Sequence, residues 1–271
     1  MNSNNLSSKL AHSAHWAAAC LVIQGIAGIA RADSLSTDRP DFVESSSVVE
    51  RGQLQIEFGG SYENDRTQGV ETRTTNAGGL LRYGVGGNIE LRLETDGYVS
   101  QRTRDALGSN TQSGNADIAL GVKWHAADGS AETHTPAMAF LLHADLDTGS
   151  AAFRGVGVRP SLRMVAEWEL GEETSLGVMP GVVYDQSDAG RFWSEIFAVT
   201  VSTALSEKVR GFVEIAGQQF TSARNGGDII TYDGGLTYLV DDSLQFDCSA
   251  SIGANENSPD WSVGVGVSKR F

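Results

Sequence analysis

From residue 53 to the C-terminus the chain repeats one pattern twelve times. About ten residues carry apolar side chains at every second position, and Gly, Asn, Asp or Ser close each run. A helix returns a side chain to the same face every 3.6 residues, so a strict period of two demands strands. In the run Ile89 to Asp96, Ile89, Leu91 and Leu93 share one face, and Glu90, Arg92, Glu94 and Asp96 share the other. Leu244, Phe246, Cys248, Ala250 and Ile252 repeat it, as do Trp261, Val263, Val265, Val267 and Phe271. The pattern predicts strands at 53–63, 72–83, 89–100, 114–124, 136–146, 157–168, 175–185, 192–203, 208–218, 228–240, 243–253 and 260–271.

Alternation alone fits a soluble sandwich as well as a membrane barrel. The connections favour the barrel. Short turns at 84–88, 171–174, 205–207 and 241–242 alternate with longer polar stretches at 64–71, 101–113, 147–156, 185–191, 219–227 and 255–259. The stretch 125–135 breaks the rule, being long where a short turn is due. Aromatic residues also gather at segment ends. Tyr83, Trp124, Trp168, Tyr238 and Phe271 close five of the six strands assigned as running toward the periplasm, and Tyr62, Tyr184, Trp193, Tyr232 and Trp261 lie near the other ends. Two such belts suit rings held at two headgroup layers. The face opposite the apolar one mixes charges of both signs with glycine, as a wet lumen does. The expected pore-lining set is Glu57, Arg82, Glu90, Arg92, Glu94, Asp96, Lys123, His143, Asp145, Arg159, Arg163, Glu167, Arg210, Glu214 and Asp247, with Asp117 and Asp233 of the same parity. A sheet spanning hydrocarbon must close, because an open edge would leave backbone groups unpaired. The fold class read from these features is all-β, a single antiparallel transmembrane β-barrel of about twelve strands.

Residues 1–32 read as a secretory signal peptide. Lys9 precedes the apolar run 15–30, which ends in Ala30-Arg31-Ala32 before Asp33. The run is too short and interrupted for a transmembrane helix. Cleavage there leaves Cys248 as the one cysteine of the mature chain. Lys9 and Arg31 leave with the leader, so 18 bases face 34 acids, a balance of −16 that repels nucleic acid. The organisation is therefore a signal peptide (1–32), an N-terminal segment (33–52) and a barrel (53–271).

The N-terminal segment contains Asp38, Arg39, Pro40, Asp41 and Glu44. One proline and four charges in so short a stretch are foreign to a lipid-facing strand. Two readings stand: a plug in the periplasmic mouth with Arg39 paired to a lumen acid, or a tether outside the barrel.

Three motifs carry a family resemblance. They are Thr37-Asp-Arg-Pro-Asp-Phe-Val-Glu-Ser45, Leu81-Arg-Tyr-Gly84 leading to Ile89-Glu-Leu-Arg92, and Tyr232-Asp-Gly-Gly-Leu-Thr-Tyr-Leu239 followed by Pro259-Asp-Trp-Ser-Val-Gly-Val-Gly266. The chain resembles the outer-membrane β-barrel family labelled "MetA-pathway of phenol degradation", described as transporters. That resemblance implies an outer-membrane location and passage of aromatic compounds. Phe271 resembles the terminal aromatic read by the outer-membrane assembly machinery, although Lys269 stands where that signal usually has an apolar residue.

The expected function is a transporter or narrow channel for small solutes, with outer-membrane lipids, the assembly machinery and the solute as partners. A closed structural or adhesive barrel is the first alternative and an outer-membrane lipid hydrolase the second. The mature histidines are His125, His134 and His143, and no serine is identifiable as the partner of one of them, so a non-enzyme is the expectation. No Cys/His spacing suggests a metal, and no cofactor is expected.

Overall fold

The computed structural model describes residues 35–187 and 190–271; the signal-peptide reading falls outside the described residues. Among these, thirteen strands form one antiparallel sheet. They are β1 (Leu54–Thr67), β2 (Val70–Gly86), β3 (Ile89–Asp105), β4 (Gly108–Asn115), β5 (Ile118–Ala127), β6 (Ala137–Leu146), β7 (Arg159–Glu169), β8 (Thr174–Ser187), β9 (Gly190–Ala204), β10 (Val209–Phe220), β11 (Ile229–Asp241), β12 (Leu244–Gly253) and β13 (Trp261–Arg270). Every strand pairs with the next in the chain except β4 with β5, and β13 returns to β1 with Gly59 opposite Gly266. β3 pairs with β5 through its first half and with β4 through its second. β4 and β5 thus share one position, interrupted at Ala116 and Asp117, and the ring is a closed twelve-strand barrel.

Three of the expected long connections are strand instead. β1 and β2 pair out to Thr67 and Val70, so 64–71 is mostly ladder closed by a two-residue turn. Gln68 and Gly69 both have positive φ, the conformation that matches the twist of a tight hairpin. β3 and β4 likewise pair out to Asp105 and Gly108, and β8 and β9 to Ser187 and Gly190. Polar composition misled the expectation there. Seventeen residues in each of β2 and β3 reach roughly 55 Å, far beyond the 9–11 residues a membrane needs, so their outer parts are polar because water surrounds them. His125, expected in a connection, belongs to β5, and the following turn is pinned by the Ser130–Thr135 bridge.

The side-chain distribution is inside out relative to a soluble domain. On the outer face Val265 is 64% exposed and Leu142 59%, while inward Glu57, Arg82, Glu90 and Lys123 are fully buried. Cys248 also faces outward. The aromatics of both expected belts lie on this surface or at its edges. Tyr62 lies tilted against Trp261 with ring centres 5.4 Å apart, and Tyr184 against Trp193 at 4.8 Å, both toward the rim away from Phe271. The rim carrying Leu54 and Phe271, whose backbones bond each other, is called the terminal rim below.

An outward side chain in mid-strand has hydrocarbon as its solvent. Val265→Arg is expected to lower barrel stability by roughly 2–4 kcal/mol, read as a shift of the denaturant midpoint for folding into lipid bilayers.

Candidate functional site: a lumen occupied by the N-terminal segment

Residues 35–50 run inside the barrel as a loop without helix or strand, entering and leaving at the terminal rim. A segment with no internal ladder must find partners for its peptide groups elsewhere, and the wall supplies them. Glu57 accepts from the Asp38 and Arg39 N–H groups at 3.1–3.2 Å. Glu214 accepts from Phe42 and Val43, both at 2.8 Å, and Glu167 accepts from Ser46. Glu90 accepts from Val49 at 2.8 Å. In the other sense, Arg82 donates to the carbonyls of Ser36 and Ser47, Lys123 to that of Ser45, and Gln55 to that of Ser36. His125 Nδ1 donates to the Ser46 carbonyl at 2.9 Å.

The segment's own charges lie against the wall cations. Asp38 meets Lys123 at 2.8 Å and Arg82 at 3.5 Å, and Arg92 also grips it. Burial alone would raise the Asp38 carboxyl, but Arg82, Lys123 and Arg92 outweigh it and hold the group well below the usual carboxylate range. Glu44 pairs with Arg92 at 2.8 Å and Arg163 at 2.7 Å. Burial pushes it up and Arg92 and Arg163 pull it below its ordinary value. Arg39 reaches Asp247 at 3.0 Å. Its guanidinium lies on the seam between β1 and β13, and a Cβ at Gly59 or Gly266 would fall 2.4 Å from it.

Asp41, at the inner tip of the loop, has the opposite environment. It is half-buried and borders cavities of about 400 and 210 Å³. Burial first, then the charge of Glu214, pushes its carboxyl well above the ordinary value.

The expected lining residues divide by position. Glu57, Arg82, Glu90, Arg92, Lys123, Arg163, Glu167, Glu214 and Asp247 hold the N-terminal loop. Glu94, Asp96, His143, Asp145 and Arg159 border a cavity of about 610 Å³ beyond it. Asp117 anchors the 147–158 connection by accepting from Gly149 and Gly155 at 2.7 and 2.8 Å, and pairs with Arg159. Asp233 faces the cavity of about 210 Å³ together with Glu214. Arg210 is exposed at the terminal rim, within 3.4 Å of Ser175.

A uniformly polar lumen does not describe the opposite wall. There Leu141, Val165, Met179, Ile196, Ala198 and Ala216 form a buried apolar sector against which Phe42 and Val43 pack. Their inward parity was readable, since Leu141 precedes His143 by two and Val165 follows Arg163 by two.

A family model matches residues 37–271, beginning with the motif that carries Asp38 and Arg39. The chain belongs to the family described as "Putative MetA-pathway of phenol degradation". No curated protein sequence matches it. Among solved structures it is similar to an outer membrane channel from Pseudomonas putida F1, with TM-score 0.61 and 12% identity, covering 83% of this chain and 98% of that one. The translocator domain of the autotransporter NalP from Neisseria meningitidis has TM-score 0.52 and 12% identity, with 83% and 90% covered. KdgM porin has TM-score 0.50 and 12% identity, with 80% and 99% covered. Identities this low speak for the fold.

The Asp41 carboxyl holds its proton more tightly in the seated loop than in the unfolded chain. Its folded value lies above the unfolded one of about 3.9, so the proton on Asp41 stabilises the seated loop. That contribution is complete below the unfolded value and is lost as pH climbs through the folded one. Asp41→Asn is therefore expected to raise the thermal midpoint in detergent by a few degrees at pH 8 and to leave it unchanged at pH 3.5.

Proposed function

We propose that this chain is an outer-membrane channel for small solutes, closed near its periplasmic end by its own N-terminal loop. The terminal rim then lies in the periplasm, and the β1–β2 and β3–β4 hairpins project outside the cell. The observation that carries the reading is how the lumen is filled. Wall side chains do not pack it to density; a separate segment occupies it, held by hydrogen bonds and ion pairs, with cavities left on the outward side. A barrel built only for anchoring has no use for a filling held by polar contacts and separate from its wall. The family's description supports aromatic compounds as solutes, and the similarity to a bacterial outer membrane channel supports the location. The apolar sector under Phe42 suits an aromatic ring passing once the loop has moved.

The closed structural barrel is the second reading, and the full burial of Arg82, Lys123, Glu57 and Glu90 favours it. The hydrolase alternative loses support because His143 Nε2, the atom a serine would need as base, already accepts from Arg92 at 3.1 Å.

Planar-bilayer recordings separate channel from closed barrel. The intact mature chain is expected to give small, infrequent current steps, and deletion of residues 33–47 is expected to enlarge the step several-fold. Identical records from both proteins would dismiss the loop as a closing element.

A further inference from the structure

The cavity beyond the loop has a recess built by sequence register. On β5, Ala119 and Gly121 face inward between two strands bearing large polar residues. Ala119 lies between Glu94 of β3 and Asp145 of β6, and Gly121 between Arg92 and His143. The His143 ring occupies the space above Gly121, where a Cβ would come within 2.0 Å of its Cδ2. Strands one apart are separated by about 4.8 Å, so the backbones of Glu94 and Asp145 stand ~10 Å apart across the alanine. Two carboxylates at that spacing can meet around one small cation.

The tautomer of His143 follows from its neighbour. Arg92 Nε donates to His143 Nε2 at 3.1 Å, and a guanidinium can only donate, so Nε2 accepts and Nδ1 carries the proton. His143 is 3% exposed, borders the cavity, and its Nδ1 has no partner. Arg163 Nε, on the same cavity, is also buried without one, although its Nη1 holds Glu44. Buried N–H groups rarely go unpaired, and two on one cavity call for an oxygen acceptor. The carboxylates need the reverse. Among the described residues Glu94, Asp96 and Asp145 form no ion pair, and Arg159 is taken by Asp117 and Asp185. No group of three or more described side chains converges as metal ligands.

We propose that this recess binds a small ammonium compound with a neighbouring oxygen acceptor, the chemistry of an amino acid or amino alcohol. The ammonium group lies between Glu94 and Asp145, and the oxygen accepts from His143 Nδ1 and Arg163 Nε. A simple carboxylate would face three acids that make no ion pair, and a phenol would bring them no cationic partner. The assignment rests on the channel reading for its place in transport, and it names a solute class other than the aromatic one.

Ligand-observed NMR titrations on the purified mature chain in detergent test it, using L-alanine, ethanolamine, ethylamine, propionate and phenol. Alanine or ethanolamine is expected to saturate at a concentration at least fivefold below ethylamine, propionate and phenol, and the better of the two assigns the subclass. Glu94→Gln combined with Asp145→Asn is expected to weaken every amine at least tenfold. His143→Ala is expected to weaken alanine and ethanolamine while ethylamine binds as before, which also shows that this variant is folded. Equal or tighter saturation by phenol or propionate, unaltered affinity in the double variant, or no saturation by alanine and ethanolamine overturns the proposal. If that happens in a protein that conducts in bilayers, the solute assignment falls alone. Binding without conductance overturns the channel reading instead.

Discussion

The requirement that buried charge be balanced shapes the lumen. Within one connected network of ion pairs, Arg82, Arg92, Lys123 and Arg163 bring four positive charges from the wall, and the wall acids Glu57 and Glu90 return two negative ones. Asp38 and Glu44 supply the other two. An ion removed from water without a partner costs several kcal/mol even after relaxation, so the vacant barrel and the filled one differ in electrostatics as well as in volume. The same wall glutamates accept peptide N–H groups. The charged sector therefore serves as a mould for extended backbone, and pairing across an open bore is the lesser part of its work.

The other half of the wall acts by a different force. Leu141, Val165, Met179, Ile196, Ala198 and Ala216 offer Phe42 and Val43 an apolar bed. Such contact has little directional demand. The loop is thus located by hydrogen bonds on one side and pressed into place by packing on the other. Asp41 stands at the boundary, close to Glu214 and poorly compensated. Its ionisation opposes seating, unlike that of Asp38 and Glu44.

How far the sequence discloses this differs by level. Strand number and inward parity follow directly from alternation, because a period of two leaves each residue only two faces. Strand ends were less visible where β2 and β3 leave the membrane, since polarity there reports water and not a break in the ladder. The loop's composition marked it as foreign to lipid, yet its course depended on partners over 200 residues away, such as Asp247 for Arg39. The apolar sector was readable by counting in twos from His143 and Arg163. What no local pattern carries is the cross-strand neighbourhood that sets Gly121 beside His143 and orients its imidazole.

Arg39 lies across the line where the first strand meets the last, above Gly59 and Gly266, which face each other in register. Half of that bed comes from residues made near the beginning of the chain and half from the final ten. The guanidinium rests on both halves together. A chronology follows: the arginine can settle only after the cylinder has joined, so a segment synthesised ahead of every strand is among the last to find its place.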